Sequence, residues 1–353
     1  MTKVSISEVA PGMITAQDIY SRTDQLILNR NVTLDAASIA KLVFYSVGSL
    51  WVYSEPEKKV EEDAYTDVLR KSPEFKEFKQ DYDVSLNGVK NTMQGITLGE
   101  KSLEGDKMFS DVSKMIGDNR SNVHIFNMLH CIRDYDDTVF MHSVNVALIC
   151  NVFGDWLRMS DADKKVLTLC GLVHDIGKLL IPKDILDKPA KLTDNEYDVV
   201  KQHVTHGYEM LKDMDIDERI KFSARDHHER YNGSGYPNGL KSDEIDSFSV
   251  IVGIADVYDA MTSKRIYRGA ICPFDVIKIF EDDGMELYDP QFLLPVLGKL
   301  AETYIHHTVR LSDERRGEVI MINPVNLAYP VVQTSDGFID LAKKKDIKIE
   351  AIL

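Results

Sequence analysis

The sequence predicts a mainly α protein: a helical bundle preceded by a small α+β module and followed by a short β-rich appendage. Three observations carry this. Apolar residues recur at helical spacing from about Ser72 to Leu300; short apolar runs separated by turn-formers occupy the first 53 residues; and β-branched runs follow Thr308. No repeat of about 20 to 50 residues and no low-complexity tract interrupts the pattern.

Composition bounds the protein before any motif is considered. With 353 residues, 44% of them apolar and 28% charged, the chain can bury a full core, and one medium domain with smaller attachments is expected. A formal charge of -15 argues against a general grip on a nucleic acid polymer, because phosphate backbones reward a basic surface. An anionic ligand would need a local basic funnel. Cys131, Cys150, Cys170 and Cys272 show no C-x-x-C spacing, so four buried thiols in a reduced, cytoplasmic setting are expected. The N-terminus lacks the apolar core of a signal peptide, and no run approaches the roughly 18 apolar residues of a membrane span.

In chain order, β-like segments are expected at Met13 to Ala16, Gln25 to Leu28 and Leu50 to Tyr53, with a helix starting near Asp35 that carries Ile39, Leu42 and Val43 on one face. The module holds no histidine, which favours a structural or sensory role. A charged stretch around Glu55 to Glu62 marks a boundary. Ser72-Pro73-Glu74 has the form of an N-cap with proline at the first helical position, and Phe75, Phe78 and Tyr82 follow at helical spacing. Val112, Met115 and Ile116, then Ile125, Met128 and Leu129, give two more apolar faces. Val139, His142, Val146, Ile149 and Phe153 share a face, which turns His142 inward. Ser160 caps the next helix, which runs into His174-Asp175. Thr193 and Glu196 have capping-box spacing and open a helix carrying His203. Helices from Asp217 to His228, from Asp246 to Thr262 and after Asp289-Pro290 complete the bundle. Segments 308–311, 317–322 and 330–333 are expected as strands, the last entering a Ser335-Asp336-Gly337 turn. The units are therefore 1–60, 61–130, 131–305 and 306–353.

The chemistry centres on Gly171-Leu172-Val173-His174-Asp175-Ile176-Gly177-Lys178. A His-Asp pair alone is more often a hydrogen-bonded couple than a ligand set. Its company changes that reading. His142, His203, His227, His228 and Asp256 also fall in apolar helical contexts, so with His174 five of the ten histidines lie in such contexts within one domain-sized stretch. On successive helices, with Lys178 beside them, they are what a bundle needs to hold two cations in its core. Mixed nitrogen and carboxylate donors suit iron or manganese better than magnesium or calcium.

The run His227-His228-Glu229-Arg230-Tyr231-Asn232-Gly233-Ser234-Gly235-Tyr236-Pro237 resembles the signature of the HD-GYP family, helical metal-dependent phosphodiesterases that hydrolyse cyclic di-GMP. The resemblance covers roughly Asp134 to Arg268 and implies an HD-type bundle as the catalytic domain. It implies that His142, His174, Asp175 and Asp256 hold one divalent metal, and that Asp175 bridges to a second held by His203, His227 and His228. Asp175 and Lys178 would be catalytic, Lys178 meeting the scissile phosphate. Tyr236, Arg265 and Arg268 would contact the cyclic dinucleotide. His206 is excluded, because the family pattern places the ligand four residues before Gly207. Asp226 and Glu229 are expected to orient the histidine rings. A third metal, found where a glutamate stands one turn before the first histidine, is not expected, since Thr138 occupies that position. The implied reaction is metal-assisted hydrolysis to linear pGpG and then GMP, in a homodimer or a monomer. Two alternatives remain: a metal-bound sensor that does not turn over, and a phosphohydrolase acting on another nucleotide.

Overall fold

The computed structural model describes residues 2–21, 26–30, 32–53, 69–100, 102–117, 122–132, 139–188, 192–263 and 271–353. The expected architecture is present: helices dominate, with strands confined to the two ends.

The N-terminal module pairs β1 (Thr2–Ser5) with β4 (Ser49–Val52) and β2 (Ile19–Tyr20) with β3 (Leu26–Leu28), both antiparallel. Met13 to Ala16 forms no strand; Ile14 and Thr15 make only isolated bridges to Thr33 and Val52. Strand β1 had no sequence signal beyond Val4 and Ile6. Between them α1 (Ala36–Phe44) starts at Asp35, whose carboxylate accepts from the Ser38 N–H, and buries Ile39, Ala40, Leu42 and Phe44.

The bundle follows: α2 (Pro73–Thr97), α3 (Gly105–Ile116), α4 (Asn122–Ile132), α5 (Val139–Trp156), α6 (Asp161–Val173), a 3-10 turn (Ile176–Leu180), α7 (Lys183–Leu186), α8 (Asp194–Lys201), α9 (His203–Leu211), α10 (Glu218–Asp226), α11 (Ser247–Thr262), α12 (Pro273–Leu287) and α13 (Pro290–Glu302). The caps at Ser72 and Ser160 and the Thr193–Glu196 capping box form as read, and Asp217, Asp246 and Asp289, where helices were expected to start, cap theirs. Two details differ. Helix α5 buries not one face but every residue from His142 to Gly154, which makes it the central helix, with α2, α6, α11 and α13 packed around it. The helix opened by Thr193 breaks at Gln202, so His203 begins a helix of its own.

The C-terminal residues form one antiparallel sheet in the order β8-β7-β6-β5-β9, from β5 (Thr308–Leu311), β6 (Arg316–Met321), β7 (Val331–Thr334), β8 (Gly337–Asp340) and β9 (Ile349–Ile352). It is tied to the bundle by Glu281, whose carboxylate accepts from the N–H groups of Leu327 and Ala328 at 2.6 and 3.1 Å. One continuous apolar cluster runs from Val4 to Ile352. All four cysteines are buried free thiols, and among the described residues no helix is long and apolar enough to cross a membrane. The boundary at 60 lies outside the described residues.

Candidate metal centre

Close backbone packing brings the candidate residues together. Helix α6 delivers His174 and Asp175 at its end, and the chain turns sharply through Gly177 against the start of α9. A Cβ on Gly177 would stand 1.9 Å from the His203 carbonyl oxygen and 2.5 Å from the Gly207 nitrogen, so only glycine lets His203 approach. Gly235 folds back in the same way on the His227-His228-Glu229 turn, where a Cβ would lie 2.5 Å from the His228 oxygen. The Glu229 carboxylate locks that loop by accepting from the N–H groups of Asn238, Gly239 and Leu240 at 2.7 to 3.1 Å.

Within this frame two groups of donor atoms converge: His142, His174 and Asp175, and Asp175, His203, His227 and His228, each within 4.8 Å of one another. Asp175 belongs to both. Its Oδ2 lies 3.3 Å from His174 Nε2 and 3.7 Å from His142 Nε2, while Oδ1 lies 3.3 Å from His203 Nε2 and 3.8 Å from His227 Nε2. Asp256, assigned by resemblance to the first group, spans both: Oδ1 is 2.9 Å from His142 Nε2 and Oδ2 is 3.9 Å from His228 Nδ1. Lys178 is paired with Asp175 Oδ2. Tyr236 stacks on His228, with ring centroids 4.7 Å apart. His206 stands outside both groups.

The tautomers follow from what the far side of each ring does. Nδ1 of His174, His203 and His227 meets the carbonyl oxygens of Gly171, Val200 and Ser223 at 2.8, 2.7 and 2.8 Å. Each Nδ1 therefore carries the proton and donates it, leaving the Nε2 lone pairs aimed at one another and at Asp175. His203 and His227 Nε2 are 3.5 Å apart. Among the described residues, His174 Nε2 and Asp175 Oδ1 are buried polar atoms with no hydrogen-bond partner. Converging lone pairs beside a buried carboxylate need a positive charge between them, so these residues fit divalent cations.

Electrostatics agree. Burial lowers the pKa of His203 to about 4 against the pull of Asp175, and burial plus neighbouring imidazoles hold His227 and His228 well below the usual histidine range. Their neutral forms are therefore favoured. Burial would raise the Asp175 carboxyl, but Lys178 and His174 hold it far below the usual range. His142 differs: burial disfavours its charged form, yet hydrogen bonds to Asp256 and Asp259 push it up to about 10. Its Nδ1 is 2.8 Å from Asp259 Oδ2.

Asp259 is the site residue that sequence reasoning missed. It stands one helical turn after Asp256, and that i, i+3 carboxylate pair on an apolar helix was the available signal. The orienting roles expected of Asp226 and Glu229 are not theirs. Asp226 pairs with Arg225, Glu229 closes the loop, and backbone carbonyls orient the rings instead. Arg265, Arg268 and Thr138 lie outside the described residues.

The fold and site define a class: an all-helical domain with a buried cage of histidines and carboxylates that could hold metal ions. Residues 127–292 match the family model described as HD domain. The chain is 33% identical over 204 residues to a cyclic di-GMP phosphodiesterase of Pseudomonas aeruginosa, covering 57% of this chain and 49% of the relative. It is 41% identical over 144 residues to a 3'3'-cGAMP-specific phosphodiesterase of Vibrio cholerae, covering 41% and 33%. A cyclic di-GMP phosphodiesterase of Thermotoga maritima is 35% identical over 171 residues, covering 48% and 46%. The chain thus spans half or less of the length of these relatives.

Proposed function

We propose that the protein is a metal-dependent phosphodiesterase that hydrolyses cyclic di-GMP to linear pGpG and onward to GMP. The observation that carries this is Asp175, whose two oxygens face two separate sets of histidine lone pairs. In this reading His142, His174, Asp175 and Asp256 hold one cation, and Asp175, His203, His227 and His228 hold the second, iron or manganese by donor chemistry. Bound divalent cations would lower the pKa of a water and polarise a phosphoryl oxygen, so no serine or cysteine nucleophile is required.

The chain's own residues do the rest. Asp175 stays ionised and fixes the spacing of the two ligand sets. Carbonyls of Gly171, Val200 and Ser223 hold the rings in the ligating tautomer. Lys178, about a quarter exposed and paired with Asp175 on one side, has two further N–H donors for a phosphate oxygen. Tyr236, stacked on His228, forms one wall of the approach, and Arg265 and Arg268 supply positive charge for an anionic substrate in an acidic protein. Arg265→Ala is expected to weaken dinucleotide binding by about 1.5 to 3 kcal/mol and leave metal content unchanged.

The 41% identity to a cGAMP-specific relative favours one second reading, in which a mixed cyclic dinucleotide is the preferred substrate. Full-length protein reconstituted anaerobically with iron or manganese, incubated with each dinucleotide and its products separated, tests both. No linear product from either would overturn the proposal in favour of a non-hydrolytic sensor.

A further inference from the structure

The N-terminal module reaches the metal centre. Ser21 and, at the end of α1, Tyr45 and Ser46 line one small cavity whose opposite side is His228, Arg230 and Tyr236. His228 is the open edge of its ligand group, with 17% of its side chain exposed against 1% or less for Asp175, His203 and His227. The cavity therefore lies over the side from which this group can be approached.

The module is held there by rings and charges. Phe44 is buried edge-on against Phe280 and Tyr288, with centroids 5.1 and 5.9 Å away. Tyr288 in turn carries the Arg230 guanidinium 5.0 Å over its ring. Arg230 donates to the carbonyls of His227 and Glu229 at 3.2 and 2.9 Å. One aromatic ring thus separates the module's anchor from the residue that grips the ligand-bearing turn. Lys41 pairs with Asp283 at 3.4 Å, and Lys348 with Asp35 at 3.1 Å.

The end of α1 is shaped for a wall. Ser46 N–H donates to the Val43 oxygen and Val47 N–H to the Leu42 oxygen, both at 2.9 Å, which is a Schellman closure with Ser46 at the left-handed position, φ 54°. Glycine is the usual occupant there, and a serine costs conformational energy. Here the residue that bears that cost is one whose side chain lines the cavity.

The space left open to a water-sized sphere is about 30 Å³, room for one or two waters, where a nucleotide-sized ligand needs roughly 300 Å³ or more. We propose that Tyr45 and Ser46 control access to the site: a wall that admits water to the His228 edge and admits a cyclic dinucleotide only when the module gives way. The substrate half of this inference rests on the proposed function; the wall itself does not.

The test uses the full-length, manganese-loaded protein and the variants Tyr45→Ala and Ser46→Gly. Two readouts are taken: kcat/KM for cyclic di-GMP, and the rate at which EDTA strips the manganese. Opening the wall should raise both by about tenfold in Tyr45→Ala, as expected when a closed population is released. Ser46→Gly, which relieves backbone strain and so keeps the fold, should move both in the same direction by less. A kcat/KM that stays at the wild-type value or falls, or an unchanged stripping rate in both variants, overturns the proposal. Should neither wild type nor variant cleave cyclic di-GMP, the proposed function fails, while the stripping rate still decides whether Tyr45 and Ser46 form the wall.

Discussion

Gly177→Ala is the sharpest test of how the cage is assembled. The added methyl would stand 1.9 Å from the His203 carbonyl oxygen, short of an ordinary carbon–oxygen contact by roughly 1.4 Å. Both opposing atoms are backbone, so no side-chain rotation relieves the clash; the start of α9 must move. Such overpacking costs about 1 to 3 kcal/mol. His203 opens α9 and its Nε2 sits 3.3 Å from Asp175 Oδ1, so the same displacement carries it away from the shared carboxylate. A disturbed ligand environment weakens metal binding by about 10- to 100-fold. The expected outcome is selective: the cation held by His203, His227 and His228 is lost first, and the one held by His142 and His174 is retained at higher metal concentration. Gly207→Ala is the matched control, because its methyl would meet nothing nearer than the Gly177 nitrogen at 3.4 Å, an ordinary contact. Elemental analysis across a manganese titration, with thermal melts of the metal-free forms, reads both effects. Equal metal content and equal Tm in Gly177→Ala and Gly207→Ala would refute the reasoning.

Asp175→Ala removes a carboxylate common to both ligand groups, so elemental analysis should show both metals depleted and product formation should stop; wild-type turnover in metal-replete variant would end the site assignment. Fully reconstituted wild type should hold two metals per chain, and three equally occupied peaks in anomalous scattering at the metal edge would contradict that count. Asp275→Asn should stabilise the protein near neutral pH. Burial raises the Asp275 carboxyl from 3.8 to about 6 despite Lys348 and Lys278 nearby, with Asp35 and Glu350 adding to the rise. A raised folded-state pKa favours the protonated form in the fold. Its stabilising effect is complete below about pH 4 and is lost as pH climbs through 6, leaving a deficit of roughly 2 to 3 kcal/mol at pH 7. Melts should therefore show the asparagine variant gaining Tm at pH 7.5 and no gain at pH 4.

Local signals in the chain were legible because they act over one turn. Ser72, Ser160, Thr193 with Glu196, and Asp289 cap helices using neighbours two or three residues away, and the structure has each. The histidines that converge in the structure were legible because their spacing and apolar context are unusual together. What escaped depends on distance. Asp259 reaches His142 across 117 positions, and Phe44 meets Phe280 across more than 200, pairings that no periodicity announces. The orienting groups escaped for another reason: every residue has a carbonyl, so nothing in the letters Gly171, Val200 or Ser223 marks theirs as the ones that fix a ring. Strands β8 and β9, four residues each, were not read from the sequence.

Helix α5, enclosed on all sides from His142 to Gly154, has a consequence for how the molecule opens. A helix with a wet face frays and lets deuterium in through small local fluctuations, whereas one enclosed by α2, α6, α11 and α13 exchanges its amide protons only when its neighbours come apart. Amides around Val146 to Phe153 should be the last to exchange, at rates that report the stability of the whole domain. Because His142 stands on that same helix, adding metal should slow these amides together with the global transition, with no separate local step.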